Sequence, residues 1–239
     1  MINNIKRVIG LAVWLVCTAC ASHPEQVTKV SEPAPIYPDY ADVTIPYNIA
    51  PLNFLLRNDA SALQVTVSGQ KESLTVNGDR KVCFPLHKWK NLLETEKGQT
   101  LTVTVSARVD GKWLQYPAFT WQVAPEKIDG FLSYRLIEPG YEVWNTIQLR
   151  ERNIESFEEK VIADNNLVDG SCMNCHIYGK QDGNLSLFHL RGKDGGTILN
   201  RNGELRKLSL KDDRMVSGAV YGDFHPSGRY GVFSSNIII

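Results

Sequence analysis

The sequence is short of several things, and each shortage removes a class of function. Charge of one sign is missing: 26 Lys and Arg balance 26 Asp and Glu over 239 residues. With no cationic surplus to neutralise a phosphate backbone, sequence-independent nucleic-acid binding is disfavoured. Long apolar runs are missing beyond the N-terminus, and the one found there is too short to span a bilayer as part of a mature chain. No Ser-His-Asp set and no pair of carboxylates stands out, so the chain reads as a carrier or binding protein sooner than as an enzyme. Cysteine is scarce, five in all, yet unevenly placed. What is present, 43% apolar and 22% charged residues, suits a globular chain of one large or two small domains.

Two of the five cysteines lie in a leader. Lys6 and Arg7 form a charged start, Val8 to Val16 an apolar stretch, and Thr18 and Ala19 are small residues before Cys20. The pattern resembles a bacterial lipoprotein signal, with Cys17 standing where that family usually has Leu. The resemblance implies removal of residues 1–19 and acylation of Cys20, which would anchor the protein in the cell envelope, at the outer membrane or facing the periplasm. A plain secretory signal, with Cys20 an ordinary thiol, is the alternative. Removing Lys6 and Arg7 leaves 24 positive against 26 negative residues, a net charge of minus two. Electrostatic attachment to lipid is thereby disfavoured, so membrane contact would rest on the lipid at Cys20. Residues 20–42 hold Pro24, Pro33, Pro35 and Pro38 among Ser, Glu and Asp, which predicts an extended tether.

From Val43 the apolar period becomes two. Leu101, Val103, Val105, Ala107 and Val109 alternate with Thr102, Thr104, Ser106 and Arg108, a strand with one buried face. Asp110-Gly111 then predicts a type I′ hairpin into Lys112–Tyr116. Asn77-Gly78, between Leu74–Val76 and Lys81–Phe84, predicts a second hairpin by the same logic. With Phe54–Leu56, Ala62–Val67 and Phe119–Val123, residues 43–125 read as an immunoglobulin-like or fibronectin-III-like sandwich, interrupted by a helix over His87–Leu93. Cys83 is expected buried as a small hydrophobe, His87 solvated, and Trp89, Trp113, Trp121 and Trp144 packed in the core or on a sheet face in preference to stacking on a glycan. Residues 126–170 predict a connecting β segment, with strands at Phe131–Ile137 and Val143–Leu149 and a short helix carrying Ile154, Phe157 and Val161.

The chemistry concentrates in Ser171-Cys172-Met173-Asn174-Cys175-His176. Cys-x-x-Cys-His is the attachment signature of c-type haem: both thiols add to porphyrin vinyl groups and the histidine ligates the iron. One turn of chain between the cysteines would let both reach the macrocycle. Export supports this reading, because covalent haem attachment takes place outside the cytoplasm. Two alternatives stay open. Cys172 and Cys175 could form a disulfide, although no βαβ context marks a thioredoxin-like motif. They could instead hold zinc with His176 and either His189 or His225, although adjacent Cys175-His176 is an awkward clamp for one tetrahedral ion. For a haem, the second axial ligand would come from downstream: His189 in the apolar run Leu187–Leu190 is favoured over Met215 and His225. A di-haem peroxidase is disfavoured, since the motif occurs once.

Two further stretches end the chain. Thr197–Leu199, Asn200–Gly203 and Glu204–Leu210 read as a hairpin. Asp223 to Ser235, with His225-Pro226-Ser227-Gly228 at its turn, resembles the strand-turn-strand core of TolB-like β-propeller repeats. A wider order of motifs resembles exported propeller lipoproteins of the Bacteroidetes, often labelled TolB-like or cytochrome-c-related. It runs from the lipoprotein signal through Tyr37-Pro38-Asp39-Tyr40, Ile45-Pro46 with Asn48–Phe54, and the Cys-x-x-Cys-His segment to Gly195-Gly196-Thr197 and the His225 turn. The resemblance implies an envelope protein in which 171–239 begin a propeller, with His225 a turn residue. Two hairpins cannot close a propeller, and the chain stops on Asn236-Ile237-Ile238-Ile239, so the sequence reads as a fragment of a longer product.

Taken together, these features predict an all-β lipoprotein carrying one haem c for electron transfer or redox sensing, with a redox or envelope protein as partner. The alternative is a non-catalytic binding or scaffold lipoprotein in which the Cys-x-x-Cys is a disulfide or structural zinc site.

Overall fold

The computed structural model describes residues 27–137, 146–168 and 172–235. The chain is all-β, with one α-helix and one 3-10 turn among the described residues. Its contacts divide it into two compact units. The first comprises 27–45 and Pro51–Ala124, the second Pro46–Ala50 and the described residues after Pro125.

The first unit is built from β1 (Val27–Lys29), β2 (Ile36–Tyr37), β3 (Val43–Pro46), β4 (Phe54–Leu56), β5 (Ala62–Ser68), β6 (Ser73–Gly78), β7 (Lys81–Val82), α1 (Leu86–Thr95), β8 (Thr100–Val109), β9 (Lys112–Gln115) and β10 (Phe119–Ala124). The alternating run is β8, the axis of the main sheet. It pairs with β5 along one edge, and with β10 and then β9 along the other. Leu101, Val103, Val105 and Ala107 are fully buried, as period two requires of a strand with one wet face. Asp110 and Gly111 both have positive φ, so the first hairpin forms with the turn its dipeptide favours.

Asn77-Gly78 makes no turn. Both residues continue β6, opposite Gln64 and Leu63 of β5, and β7 leaves to pair with β4 in a second sheet, β2-β4-β7. Seven consecutive cross-strand pairs of β5 with β8 hold the register, and that long-range ladder overrides the local dipeptide signal. The turn falls instead at residues 69–72, where the Glu96 carboxylate accepts the backbone N–H groups of Gln70 (3.1 Å), Lys71 (2.7 Å) and Glu72 (2.8 Å).

Between the sheets lies an aromatic cluster. Trp121 of β10 packs against Trp89 of α1, Phe84 and Phe119, with ring centroids 5.5–6.1 Å apart. Trp89, Leu92 and Leu93 fall on one face of α1 and are buried, so the helix closes over this core. Cys83 is exposed, contrary to expectation, because Val82 and Phe84 take the inward positions on either side of it.

The expected tether is also part of this unit from Val27 onward. β1 lies parallel to β9 and β2 pairs with β4, with Ile36 buried. The Tyr40 carbonyl accepts the indole N–H of buried Trp121 at 2.7 Å, and Asp42 accepts the N–H and hydroxyl of Thr120. A proline-rich segment is held here because it fills a donor that the core would otherwise leave unpaired.

The second unit contains β11 (Phe131–Ile137), β12 (Ile147–Asn153), β13 (Glu159–Asp164), the 3-10 turn Asn165–Val168, β14 (Met173–Gly179), β15 (Asp182–Leu190), β16 (Gly196–Arg201), β17 (Glu204–Leu208), β18 (Val220–Phe224) and β19 (Gly231–Ser234). They form three antiparallel sheets, β11-β12-β13, β14-β15-β16-β17 and β18-β19. The helix expected through Ile154, Phe157 and Val161 is replaced by a turn and β13, whose pairing with β12 carries Arg150–Glu159, Arg152–Glu159 and Lys160–Glu151 ion pairs. Cross-strand charge pairing thus explains what the helical spacing mimicked. The core here is Leu149, Ala163, Met173 and Leu190, with Phe188 and Ile198 packed on it. Pro46–Ala50 is fixed by Asn48, whose side-chain amide exchanges hydrogen bonds with the backbone of Ile128. Among the described residues no propeller or barrel closes. Residues 1–26, where the leader and Cys20 are expected, and 138–145 (Val143–Asn145 included), 169–171 and 236–239 lie outside the described residues.

Candidate functional site

The Cys-x-x-Cys-His segment enters β14 as an extended strand, where the sequence predicts a turn. Met173 opposes Leu190, Asn174 opposes His189, and the next regular pair is Ile177 with Leu187. Cys175 and His176 therefore share one opposing residue, Phe188, in a β-bulge. A bulge breaks strict alternation and re-aims the side chains beside it. Met173 is fully buried in the core, and Cys172 is half-buried with its carbonyl accepting the Arg191 N–H at 2.9 Å. The side chains of Asn174 and Cys175 lie outside the described residues.

His176 is the best-defined member. Its imidazole is half-buried and lines an open cleft of about 610 Å³ together with Phe131, Leu132, Ile177 and Tyr178. Burial, and then the Arg135 guanidinium, push its pKa below the usual histidine value, while a hydrogen bond to the Ser133 backbone pulls the other way. The neutral ring, with a lone pair to offer, is the favoured form near pH 7. The Tyr178 ring stands edge-on to His176 at 6.4 Å, and its hydroxyl donates to Ser133 Oγ at 2.7 Å. Ser133 thus fixes both aromatic side chains. Asp129, Glu151 and Asp223 add carboxylates to the lining, so the cleft has an apolar rim and an acidic margin.

His189 sits elsewhere. It is half-buried on β15 with Nδ1 3.2 Å from Thr197 Oγ1, and its pKa is lowered by burial and by Arg191. It lines a second cavity, of about 390 Å³, which shares no lining residue with the first among the described residues. The structure does not bring His176 and His189 to one cavity. Met215 is half-buried in a loop, its N–H bonded to the Asp212 carbonyl. His225 is exposed, with Nδ1 accepting the Ser227 N–H at 3.1 Å, the part of a turn residue. Among the described residues no three His, Cys, Asp or Glu side chains are grouped to hold a metal ion. His87 is exposed, Trp113 half-buried, and Trp89 and Trp121 fully buried.

Sequence reasoning missed Ser133, Tyr178 and the exposed pair Phe131 and Leu132. Tyr178 follows His176 by two residues, a spacing that places strand neighbours on one face, and it could have been found once the motif was read as a strand. Ser133 and Phe131 are more than forty residues away and carry no local signal.

Comparison with known proteins adds nothing further: no family model, no curated protein and no solved structure matches this chain.

Proposed function

We propose that this chain is an envelope-anchored lipoprotein carrying one covalent c-type haem for electron transfer or redox sensing. The observation that carries the reading is His176, an imidazole disfavoured from protonation and held through Ser133 at a cleft of cofactor size, directly after the two cysteines. A metal-bound histidine commonly donates its other ring nitrogen to a backbone carbonyl or carboxylate, and Ser133 supplies such a partner. Phe131, Leu132 and Ile177 provide apolar surface suited to a flat macrocycle. His176, Ser133 and this apolar surface suit the group, and Cys172 is not among the residues that line the cleft. When bound, haem supplies one-electron iron chemistry. Cys172 and Cys175 would carry the thioethers, His176 would ligate the iron, and Ser133 would orient the ring.

Attachment asks one thing of the backbone. Three strand steps separate Cys172 from Cys175, about 10 Å along extended chain, so the segment would have to tighten at the bulge for both thiols to reach one macrocycle. The strand conformation also favours a second reading, a binding or scaffold lipoprotein in which the Cys-x-x-Cys is a disulfide or part of a zinc site. In either case β14-β15-β16-β17, a four-stranded antiparallel meander, has the shape of one propeller blade, and β18-β19 would open the next. This supports the resemblance to exported propeller lipoproteins.

The readings separate in protein matured in a host with haem-attachment machinery. The haem reading expects a Soret band that is abolished by Cys172→Ala with Cys175→Ala. His176→Ala should retain the chromophore with a shifted spectrum. His189→Ala should shift it only if that side chain is the second axial ligand. Absence of the band in the wild type promotes the binding-lipoprotein reading.

A further inference from the structure

We infer that the second cavity, bounded by the 191–196 turn and the 209–211 and 217–220 segments, binds a small phosphate-bearing molecule. Its charge is one-sided. Arg191, Lys193 and Lys211 line it, and no carboxylate does among the described residues. Elsewhere in the same unit Lys127, Arg150, Arg152, Lys160, Arg206 and Arg214 each meet a carboxylate within 3.1 Å. Arg191, Lys193 and Lys211 form no ion pair among the described residues, and the nearby Asp212 is already held by Arg214 at 2.6 Å. Asp194 and Asp213 are close by in the chain but do not line the cavity, so the three cations face it without a lining carboxylate.

The remaining lining suits an oxyanion. Ser209 offers a hydroxyl group that can donate, while the Ser217 hydroxyl already donates to the Gly218 carbonyl at 3.2 Å. The 191–196 turn is closed tightly: Gly192 has φ +105°, and a Cβ on Gly195 would lie 2.9 Å from the Leu190 carbonyl oxygen and 3.0 Å from that of Gly192. Glycine is what lets the turn close this tightly. The N–H groups of Gly192 and Lys193 make no hydrogen bond among the described residues, as in the backbone concavities that receive anions. Buried Ala219 and Val220 supply apolar floor. Three cations match the roughly two negative charges of a phosphate monoester better than the single charge of a carboxylate. At about 390 Å³ the space exceeds one phosphate and admits a small phosphorylated compound.

Isothermal titration of the full chain with inorganic pyrophosphate tests this, with or without a chromophore at His176. Saturable one-to-one binding is expected, weakening with added salt and falling at least tenfold in K193Q/K211Q. Both lysines are exposed, so melting curves should match the wild type. K211E, a single change, should abolish binding, and K112Q on the first unit should leave it unchanged. No saturable binding in the wild type, equal binding in all variants, or binding to phosphatidylglycerol vesicles without binding to pyrophosphate would each overturn the proposal.

Discussion

The two units bury their apolar residues very differently. Among the described residues the first holds 22 of the 31 buried hydrophobic side chains and exposes only Tyr37 and Leu86 among its large ones. The second holds nine, and exposes thirteen large hydrophobics, among them Phe131, Leu132, Val161, Tyr230 and Val232. The first unit has thus spent its apolar surface on its own stability, through two sheets, a helix and an aromatic cluster. The second stabilises short sheets with ion pairs and leaves apolar faces and cavities open, and both cavities with functional side chains belong to it. Binding surface and core draw on the same residues, so a unit rich in one is poor in the other.

The contrast can be broken most forcefully in the first unit. Trp121→Ala removes the residue that touches three other rings and the Tyr40 carbonyl. It should cost about 3–5 kcal/mol in denaturant unfolding followed by far-UV circular dichroism. Hydrogen exchange should show the loss confined to residues 27–45 and 51–124.

A smaller change should strengthen the second unit. The two-residue turn between β14 and β15 is Lys180-Gln181, with both residues at positive φ, whereas the equivalent turns at Asp110-Gly111 and Asn202-Gly203 use residues that tolerate it. Replacing Lys180-Gln181 by Asn-Gly should raise stability by about 1–2 kcal/mol, seen as a higher unfolding midpoint. Gln181 lines the His176 cleft, so this strain sits next to the candidate site.

The smallest effect is in pH. His176 and His189 both have folded pKa values below the usual histidine value, each chiefly through burial. The unfolded chain therefore binds more protons than the folded one as pH drops below about 6.5. The second unit should keep its full stability above that value and lose part of it as pH falls through 6.5 toward the folded-state values. Glu96 in the first unit has its pKa lowered, because hydrogen bonds from Lys71, Glu72 and Gln70 together outweigh the upward push of burial. It stays charged across this window. Protection factors, taken relative to the intrinsic exchange rate at each pH, should fall between about pH 7.5 and 5.5 in the described residues of the second unit only.

Legibility in the sequence follows the range of the interactions. The β8 alternation and the Asp110-Gly111 and Asn202-Gly203 turns are local, and they could be read directly. Asn77-Gly78 misled because the β5-β8 ladder, whose paired residues such as Val65 and Val105 are far apart in the chain, decides the register. The proline-rich segment misled because its role is to accept a hydrogen bond from Trp121, eighty-one residues away. Ile154, Phe157 and Val161 mimicked a helix face, while the deciding pairs were Arg150 and Arg152 with Glu159 across two strands. At the candidate site the motif announced Cys172, Cys175 and His176, but the strand that carries them, its bulge, and the Ser133 partner come only from the pairing of β14 with β15 and the approach of β11.

The most direct test of the account is the mass of the peptide that contains Cys172 and Cys175, taken from denatured protein matured in a haem-attaching host. Thioether bonds outlast unfolding, whereas zinc leaves with chelator and a disulfide yields to reductant. The account predicts that peptide at its sequence mass plus one haem, with a Soret band that persists in denaturant. The same peptide at its bare mass, or two hydrogens lighter as a disulfide, would contradict it.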